Sequence, residues 1–591
     1  MKILQDNLRG AEFLVSQGDP DQVFTPEDFT EEHKMIALTT KQFVEREVLP
    51  HLDEFEGQNF EKTVELLRKA GGLGLLAHSI PEKYGGLGLD KVSKGIVGEA
   101  LGQAGSYGIA HSNHTCIATL PITYFGNDEQ KSRYLPKLAS GEFFGAYCLT
   151  EPSSGSDALS AQTTAILNKE GTHYILNGTK QWITNAGFSD TFIVYAKVDG
   201  DKFTAFIVEK DFQGLSLGPE EKKMGIKGSS TRSVIFEDCK VPVENILGEI
   251  GKGHVIALNV LNLGRFNLGG ICMGAAKAVL KLTIKYTNQR SQFKRPISSF
   301  RATQEKLANM ASRLFAAEAV QYRTAQLLEE ALSDLYDASD LDSIKNQMME
   351  YAVECSICKV FGSENLDEIV DEGVQLHGGY GYMQEYRIEQ FYRDSRINRI
   401  FEGTNEINRF LIPNLLFKKA KKGEFDLDEC IKQATREIES TMPSIEGPLS
   451  LEIEMVRSIR RVFLVLTGLI FEKYGDAFAN EQESLLKLSD VAIYLYSSES
   501  AVLRTVKTIQ RNGMEKEDWK AKLTMNYVHD VMLKVETSAR QLLNGLDLSE
   551  QSEICRKLVL KELGQYVVKN SFALKRDIAS KLIQTEEYIS Y

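Results

Sequence analysis

The spacing of apolar residues changes twice along this chain, and this change limits the folds that the chain can adopt. Residues 146–254 contain runs rich in β-branched and aromatic side chains, such as Thr191–Tyr195 and Phe203–Val208. The turn-forming pairs Asn177-Gly178 and Asp199-Gly200 interrupt these runs, as in strands joined by hairpins. The pattern predicts a small antiparallel β domain inserted into a mostly α-helical protein.

Helical periodicity governs the chain on both sides of the β segment. Apolar residues recur at helical spacing between Ile36 and Val48, after a stop-and-cap signal at Thr25–Asp28, and the same periodicity returns after residue 255. A basic run followed by two prolines indicates a linker. The predicted units are a helical domain at 1–145, the β domain at 146–254, a helical bundle at 255–417, a linker at 418–448 and an additional helical domain at 449–591.

Composition excludes several classes of partner. The 591 residues include 69 lysines and arginines against 82 acidic residues, for a net charge of −13. Without a basic surplus we expect no nucleic-acid partner, because nothing would neutralise the phosphates. Eight cysteines are too sparse for a disulfide framework, and Cys355 and Cys358 lie in an apolar helical stretch. We predict buried thiols there and no metal site, since zinc would need a second pair of ligands nearby.

We expect neither export nor membrane insertion. The first ten residues contain an acidic residue and no long apolar run, unlike a signal or transit peptide, which favours a cytoplasmic location. The most apolar run, Val462–Phe471, is much shorter than the ~20 residues that a membrane span needs. It predicts a core helix, and an interfacial helix in peripheral contact with a membrane is the alternative.

Two segments of the β domain have the composition of a ligand site. The loop at 147–157 is dense in small and hydroxylated residues, which can press against a flat polar ligand but also suit an ordinary turn. Trp182 and Thr184 are two residues apart on a predicted strand and therefore share a face. There an indole can shield an aromatic ring while the hydroxyl bonds to its edge. A plain core tryptophan is the alternative.

Two further segments lie in helical regions. Arg290 ends a helix predicted from about Arg265 and offers donors suited to a pyrophosphate, with Phe293 as a stacking surface. A solvated basic helix end would have the same sequence. The glycine-rich run at 375–385 lets the backbone approach a ligand closely. His377 within it has no ligand cluster around it in sequence, so we interpret it as structural.

A fifth segment, Ile-Phe-Glu-Gly-Thr at 400–404, contains a candidate general base. Apolar neighbours can desolvate Glu402, and desolvation raises the pKa of a carboxyl group toward the value that a general base needs. Gly403 lets a bulky ligand pass close by. Taken alone, Glu402 would equally suit a solvated position at a helix start.

In this order, the five segments resemble the signatures of the acyl-CoA dehydrogenase family. The resemblance implies a core of helical, β-barrel or sandwich, and helical domains, with FAD as the cofactor and Glu402 as the base that removes the proton α to a thioester. The residues that it matches to flavin contacts are Tyr147, Leu149, Thr150, Ser156, Trp182, Ile183, Thr184, Arg290, Gln292, Phe293, Gln375, Gly378, Gly379, Thr404, Asn405 and Glu406. Those that it matches to substrate contacts are Ser156, Asn262, Arg265, Phe401 and Gly403, with Gly108–His114 near the end of the acyl cavity.

The resemblance also limits where the base can be. Some branches of the family carry it immediately before the arginine that matches Arg265, and here that position is Gly264. A glycine cannot abstract a proton, so Glu402 is the only candidate at either location. One departure is Phe300-Arg301, where many relatives have Phe-Gln, and we assign no cofactor contact there.

The C-terminal unit resembles that of very-long-chain members, for example at Leu488–Tyr496. The implied reaction is the dehydrogenation of a long-chain fatty acyl-CoA to the trans-2-enoyl-CoA in β-oxidation, with electrons passed to an electron-transfer flavoprotein. In the family the segment matching 290–297 reaches the FAD of the neighbouring subunit, and the added unit could occupy the surface that pairs dimers into tetramers, so we expect a homodimer. Two rival interpretations stay open, an acyl-CoA oxidase that uses oxygen and a non-enzymatic assembly role of the added domain.

Overall fold

The computed structural model describes residues 9–333, 335, 340–440, 446–547, 549–566 and 568–591. Residues 1–8, which make up most of the stretch where we expected no targeting peptide, lie outside these ranges. The fold class is the predicted one, because helical segments flank a β domain and a further helical segment follows.

The first helical segment consists mostly of short helices. Thr30 caps the first of them by accepting a hydrogen bond from the amide of His33 at 3.2 Å, whereas the signal at Thr25 precedes only a 3-10 turn at Pro26–Asp28. The helices are α1 (Glu31–Phe43), α2 (Leu52–Glu56), α3 (Phe60–Gly72), α4 (Lys91–Gly102), α5 (Ser106–Asn113), α6 (Leu120–Phe125) and α7 (Asp128–Ser140).

The β domain is one sheet that encloses its own apolar core. Its order is β6-β7-β3-β2-β4-β5-β8, with β1 beside β4. The strands are β1 (Gly145–Cys148), β2 (Thr164–Leu167), β3 (His173–Thr184), β4 (Thr191–Val198), β5 (Lys202–Glu209), β6 (Leu215–Leu217), β7 (Thr231–Pro242) and β8 (Ile246–Leu247).

Two details of the β domain differ from the prediction. Both β1 and β2 pair with β4 in parallel, so the sheet is mixed. Each of them is separated from β4 in sequence by at least one other strand, which permits parallel pairing, whereas a two-residue hairpin allows only antiparallel pairing. Asn177-Gly178 is a register shift inside β3 rather than a turn, and a Cβ on Gly178 would lie 2.5 Å from Oγ1 of Thr163. Asp199-Gly200 does form the predicted hairpin turn, between β4 and β5.

The second helical segment is built around its long first helix, α8 (Gly253–Gln289). Among the described helices α8 alone is long and apolar enough to cross a membrane, but 89% of its most apolar window is buried inside the protein. Cys355 and Cys358 are buried, as predicted, in a helix that packs on α8. The other elements are β9 (Ser291–Gln292), β10 (Arg295–Pro296), α9 (Arg301–Leu332), α10 (Leu341–Glu350), α11 (Ala352–His377), α12 (Ile388–Ser395) and α13 (Asn405–Lys421).

The segment at 418–448, predicted to be a linker, contains a regular helix. After α13 ends, Asp426 caps α14 (Leu427–Glu439) by accepting from the amide of Glu429 at 3.0 Å. The basic run and the prolines, which suggested a linker, lie on either side of this helix, and residues 441–445 are outside the described range. The buried apolar residues of α14 are Leu427, Ala434 and Ile438, and the partly buried Cys430 and Ile431 pack on the same core.

The C-terminal domain (residues 449–591) is helical, as predicted. The apolar run Val462–Phe471 lies within its first helix and is mostly buried, which confirms a core helix. The helices are α15 (Ser450–Tyr474), α16 (Gln482–Asn512), α17 (Met514–Gly545), α18 (Glu550–Gly564) and α19 (Ser571–Thr585).

Buried ion pairs join the C-terminal domain to the rest of the chain. Arg504 on α16 contacts Glu27 and Glu318, each at 2.8 Å. Arg323 on α9 contacts Glu499 on α16 at 2.9 Å. Breaking one partner of such a pair leaves an uncompensated buried charge, so these contacts hold α16 firmly against α9 and the N-terminal segment.

Candidate active site

A cavity forms where α5, α8 and the loop before α13 meet. Within it α8 contributes residues at helical spacing, which present one face to the cavity. Its lining contains Thr184, Phe401 and Glu402, which the sequence singled out, together with part of the predicted stretch 108–114. The full lining is Ile109, Ser112, Asn113, Cys116, Ile117, Thr184, Gly264, Asn267, Leu268, Ile271, Phe401 and Glu402.

Glu402 occupies a strained turn just before α13. Its φ is +58°, a conformation that a non-glycine residue keeps only when its surroundings hold it. Nε of Arg265 and Nδ2 of Asn408 donate to the Glu402 carbonyl at 3.3 and 3.2 Å. Nζ of Lys359 donates to the next carbonyl, that of Gly403, at 2.8 Å. These donors fix the turn, so that the Glu402 side chain lines the cavity.

The Glu402 carboxylate is poorly solvated. Its Oε2 is buried and has no hydrogen-bond partner among the described residues. Burial raises the pKa of Glu402 from 4.5 to about 7, although the charges of Arg265 and Lys359 act to lower it. Burial, and to a smaller extent the Glu402 charge, raises the pKa values of Cys116 and Tyr147 as well. A carboxylate that titrates near neutral pH is suited to general-base chemistry.

Gly264 on α8 faces the carboxylate directly. A Cβ at this position would lie 2.9 Å from Oε2 and 3.0 Å from Cδ of Glu402. The carboxylate therefore occupies the space that any side chain at 264 would need. A base at 264 and the observed position of Glu402 exclude one another, which supports the sequence argument on steric grounds.

Asn262 and Arg265, predicted to meet the substrate, are both buried on α8. The Arg265 guanidinium donates to Oδ1 of Asn262 at 2.8 Å as well as to the Glu402 carbonyl. Burial lowers the pKa of Arg265, while the nearby Glu402 charge raises it. The pair thus lies beside the candidate base and holds its backbone.

The first two sequence motifs are joined by hydrogen bonds. The amide of Gln181 donates to the carbonyl of Thr150 at 2.9 Å. Lys180, with no exposed surface, donates to Oε1 of Glu151 at 2.7 Å and to the carbonyl of Leu149 at 3.3 Å. The loop that follows β1 is therefore anchored on β3. Within it the side chains of Tyr147 and Leu149 are buried, while Thr150 is partly exposed and Ser156 is exposed.

Trp182 lies at an irregularity of β3. A register shift between Lys180 and Ile183 gives Trp182 a φ of +60° and leaves its side chain 60% exposed. Ile183 points into the core of the β domain, so only its backbone can meet a ligand. Thr184 is partly buried and lines the Glu402 cavity. The exposed indole, two residues before Thr184, suits a planar aromatic ligand.

The third and fourth motifs lie together around a second cavity. It shares no lining residue with the Glu402 cavity. Phe293, beside it in sequence, is 87% exposed, and the Arg290 guanidinium lies 5.3 Å from the centre of the Tyr380 ring. The lining is Tyr286, Arg290, Gln292, Ile297, Gln375, Leu376, His377, Gly378, Gly379, Tyr380 and Met383.

His377 has a structural environment, as predicted. Its Nδ1 is 2.6 Å from the carbonyl of Gly373, and its ring stacks on Tyr286 with 4.1 Å between ring centres. Burial lowers its pKa. The hydrogen bond and the stacking hold the glycine-rich turn that follows α11.

The Asn405 side chain, at the start of α13, is engaged within the protein. Its Oδ1 accepts from Nζ of Lys359 at 2.6 Å, and its Nδ2 donates to Oγ of Ser363 and to Oε1 of Glu364 at 3.1 and 2.9 Å. The side chain is buried with its hydrogen-bonding capacity used inside the protein, so the predicted cofactor contact cannot come from it. Thr404 caps α13, and Glu406 is exposed in its first turn.

Comparison with known families agrees with this arrangement. The N-terminal, middle and C-terminal domain models of acyl-CoA dehydrogenase match residues 30–142, 146–239 and 251–415. A further model, also described as an acyl-CoA dehydrogenase C-terminal domain, matches residues 458–559. The chain belongs to the acyl-CoA dehydrogenase family. This confirms the family and the enzyme class inferred from the motifs.

Individual acyl-CoA dehydrogenases are similar over most of the chain. A probable acyl-CoA dehydrogenase of Bacillus subtilis is 52% identical over 589 residues, 99% of each chain. The human mitochondrial very long-chain specific acyl-CoA dehydrogenase is 35% identical and covers 76% of this chain and 70% of its own. The crystal structure of an acyl-CoA dehydrogenase complexed with FAD from Bacillus anthracis has a TM-score of 0.96 and 50% identity, covering 99% of this chain and 100% of that one.

The sequence did not predict several residues that lie at the site of this acyl-CoA dehydrogenase. Those on α8 repeat every three or four residues from Gly264, a spacing that could have identified them. Lys359 and Asn408 carried no such signal. Lys359 contacts the Glu402 turn from a distant part of the sequence, and Asn408 contacts it only because the first turn of α13 folds back on it. The unpredicted residues are Cys116, Ile117, Asn267, Leu268, Ile271, Lys359 and Asn408.

Proposed function

We propose that this protein catalyses the FAD-dependent α,β-dehydrogenation of long-chain fatty acyl-CoA to the trans-2-enoyl-CoA in fatty acid β-oxidation. Glu402 is the base that removes the α-proton. The observation that carries the proposal is the buried, unpartnered Oε2 of Glu402, which faces a cavity bordered by apolar side chains of α5 and α8. A dry cleft of this kind favours proton removal by a carboxylate whose pKa burial has raised.

FAD, which the Bacillus anthracis relative contains, is the cofactor in this proposal. Trp182 and Thr184 would hold the flavin ring, since Thr184 lines the Glu402 cavity and the indole two residues before it is exposed. Arg290 and the turn at Gly378-Gly379 would hold the adenosine side of an FAD bound mainly to a second subunit. The chemistry that FAD supplies when bound is acceptance of a hydride from the β-carbon.

The residues of this chain move and control the proton. Oε2 of Glu402 accepts it, and the amide of Glu402, which donates to no acceptor among the described residues, is free to polarise the thioester oxygen. Arg265 donates to the carbonyl of Glu402 and Lys359 to the carbonyl of Gly403. These bonds keep the carboxylate and the amide of Glu402 in their orientations. Preorganised donors of this kind need no rearrangement during the reaction.

Similarity to relatives and the composition of the chain support a long-chain substrate and a reducing compartment. The C-terminal domain, matched by its own family model, supports a long-chain substrate of the kind that the human relative's name specifies. We propose an electron-transfer flavoprotein as the acceptor, a homodimer as the assembly and the cytoplasm as the compartment. All eight cysteines are unpaired, which suits a reducing environment.

The test is a Glu402→Gln variant, which retains the shape of the side chain but cannot accept the proton. We expect it to keep bound FAD and to lose about 10²-fold or more in turnover. Anaerobic bleaching of the flavin by palmitoyl-CoA at the wild-type rate would contradict the proposal. In the wild type, peroxide production in air without an electron-transfer flavoprotein would instead indicate an oxidase, and a scan from butanoyl-CoA to stearoyl-CoA decides chain length.

A further inference from the structure

A continuous series of hydrogen bonds connects the C-terminal domain with the turn that carries Glu402. It begins at Asp490 on α16, whose Oδ1 accepts from Nε of Arg409 on α13 at 2.8 Å. The two terminal nitrogens of the same guanidinium donate to Oε1 and Oε2 of Glu364 on α11 at 2.7 and 2.8 Å. Arg409 therefore uses one edge for the C-terminal domain and its bidentate fork for the helical bundle.

The series continues from Glu364 to the candidate base. Oε1 of Glu364 also accepts from Nδ2 of Asn405 at 2.9 Å, and Oδ1 of Asn405 accepts from Nζ of Lys359 at 2.6 Å. Lys359 donates in turn to the carbonyl of Gly403 at 2.8 Å, next to Glu402. We name these contacts, from Asp490 through Arg409, Glu364, Asn405 and Lys359 to Gly403, the relay.

The part of the relay next to Glu402 is buried. Lys359 has no exposed surface and Asn405 is 2% exposed, so water does not compete for their donors and acceptors. A second contact reinforces the entry point, because Oγ of Ser489 donates to the Arg409 carbonyl at 2.8 Å. The C-terminal domain therefore forms hydrogen bonds with both the backbone and the side chain of Arg409, which lies one helical turn after Asn405.

We infer that Asp490 is a positioning residue for Glu402, and that the C-terminal domain thereby takes part in dehydrogenation without touching the substrate. Loss of Asp490 frees one edge of the Arg409 guanidinium, which can then tilt on Glu364. The tilt passes through Asn405 and Lys359 to the Gly403 carbonyl and alters the direction of the Glu402 carboxylate. This inference rests on the proposed function of Glu402 as the base.

The first experiment compares Asp490→Ala with Glu483→Ala, a control that removes an exposed acid from the same helix. We expect Asp490→Ala to lower kcat with palmitoyl-CoA by about 10- to 100-fold while KM stays within about twofold, since small misplacements of a reacting group cost this much. The primary isotope effect with α-deuterated palmitoyl-CoA should rise, because proton removal becomes slower relative to the other steps. Glu483→Ala should match the wild type in all three measurements. Unchanged kcat and isotope effect in Asp490→Ala would overturn the inference.

A double-mutant cycle tests whether Asp490 acts through the relay. Arg409→Lys retains a positive charge but cannot bridge Asp490 and Glu364 together. If the relay carries the effect, adding Asp490→Ala to Arg409→Lys should change kcat by less than about threefold, since the path is already broken. If the losses of kcat in the two single variants multiply in the double variant, Asp490 acts by another route and the proposed role of the relay is contradicted.

Two measurements separate a positioning effect from unfolding and from failure of the proposed function. FAD content and melting temperature are compared first, and Asp490→Asn, which keeps the shape of the side chain, replaces Asp490→Ala if the latter does not fold. It should then show a smaller loss of kcat in the same direction, and wild-type kcat would count against the inference. If Glu402→Gln turns over normally, the proposed function itself fails. If Glu402→Gln is inactive but Asp490 variants behave as wild type, only the relay fails.

Discussion

Glu402 combines two features that each cost stability. Its backbone lies in the left-handed region, which costs on the order of 1–3 kcal/mol for a residue with a side chain. Its carboxylate is kept out of water without a hydrogen-bond partner on Oε2. Arg265, Asn408 and Lys359 offset these costs by holding the turn from three directions. Such local strain, supported from outside, is typical of residues selected for reactivity.

At the residue scale, the raised pKa of Glu402 predicts how the rate depends on pH. The base must be ionised, so kcat/KM for palmitoyl-CoA should rise about tenfold per pH unit below about 7 and level off above it. Lys359→Met removes a positive charge that lowers the pKa of Glu402, and it should move the midpoint upward. Steady-state rates with an artificial electron acceptor between pH 5.5 and 9 measure both curves. A midpoint near 4.5 in the wild type would mean that the carboxylate is solvated.

Gly264 gives a second prediction at this scale. Gly264→Ala places a methyl group within about 3 Å of the Glu402 carboxylate, so the carboxylate must move. We expect turnover to fall by about 10²-fold while FAD stays bound. Gly270→Ala is the matched control on α8, because its Cβ would lie 3.2 Å from the end of the Gln321 side chain and 3.5 Å from the Gly95 carbonyl oxygen, an ordinary contact distance. Equal activity of the two variants would mean that the carboxylate does not occupy the position described.

At the scale of single elements, the irregular strand β3 does more than pair with its neighbours. Its register shift turns Trp182 outward and Ile183 inward, and Lys180 just before it anchors the loop that follows β1. Glu151, the partner of Lys180, also accepts from the amide of Thr163 at 3.0 Å. One buried carboxylate thus ties together β3, the loop and the start of β2.

Because Lys180 and Glu151 form a buried ion pair, replacing one of them should lower the stability much more than replacing both. Lys180→Met leaves the Glu151 charge buried and unpaired, which should cost about 3–5 kcal/mol of stability and weaken FAD retention. The double variant Lys180→Met, Glu151→Gln should recover most of the stability, because no unpaired charge is left. Melting temperatures and flavin content of the two proteins, with Lys202→Met as an exposed control on β5, provide the test. A double variant no better than Lys180→Met would rule out the charge argument.

At the scale of the whole molecule, some of the proposed flavin-binding residues line two separate cavities that have no common lining residue. Thr184 lines the Glu402 cavity, with the exposed Trp182 two residues before it, whereas Arg290, Gln375 and the following glycines line the other cavity. Phe293, almost fully exposed beside that second cavity, has little to contact within its own chain. In the proposed homodimer, a second copy of the chain would complete the site.

This division predicts an assembly that is needed for cofactor binding. Light scattering of the purified protein should give a mass near twice 66.2 kDa, and dilution into monomers should release FAD. A stable tetramer would contradict the homodimer proposal, and a monomer that retains FAD would contradict the shared site. The measurement is made with flavin absorbance recorded at each concentration.

The sequence alone predicted the type of most elements, because element type depends on local patterns, and the resemblance of its motifs to one family singled out Glu402 as the candidate base. The helical spacing of apolar residues located the helical segments, and Ile-Phe-Glu-Gly-Thr marked Glu402 as a carboxylate with apolar neighbours. The prediction of a turn at Asn177-Gly178 was wrong, since a turn and a strand irregularity favour the same residues. The helix α14 was predicted to be part of a linker, because a basic run and two prolines flank it in sequence.

Only the tertiary structure could decide which distant residues meet. Asn405 looked like a ligand contact in sequence, but Lys359 and Glu364 engage its side chain inside the protein. Asp490 lies 88 residues beyond Glu402 in the chain (490 less 402), and nothing local connects the two. Periodicity and motif composition determine how a segment folds and which chemistry it carries, because those properties depend on neighbours a few residues away. The distances that tune the Glu402 carboxylate depend on long-range packing, which no local pattern encodes.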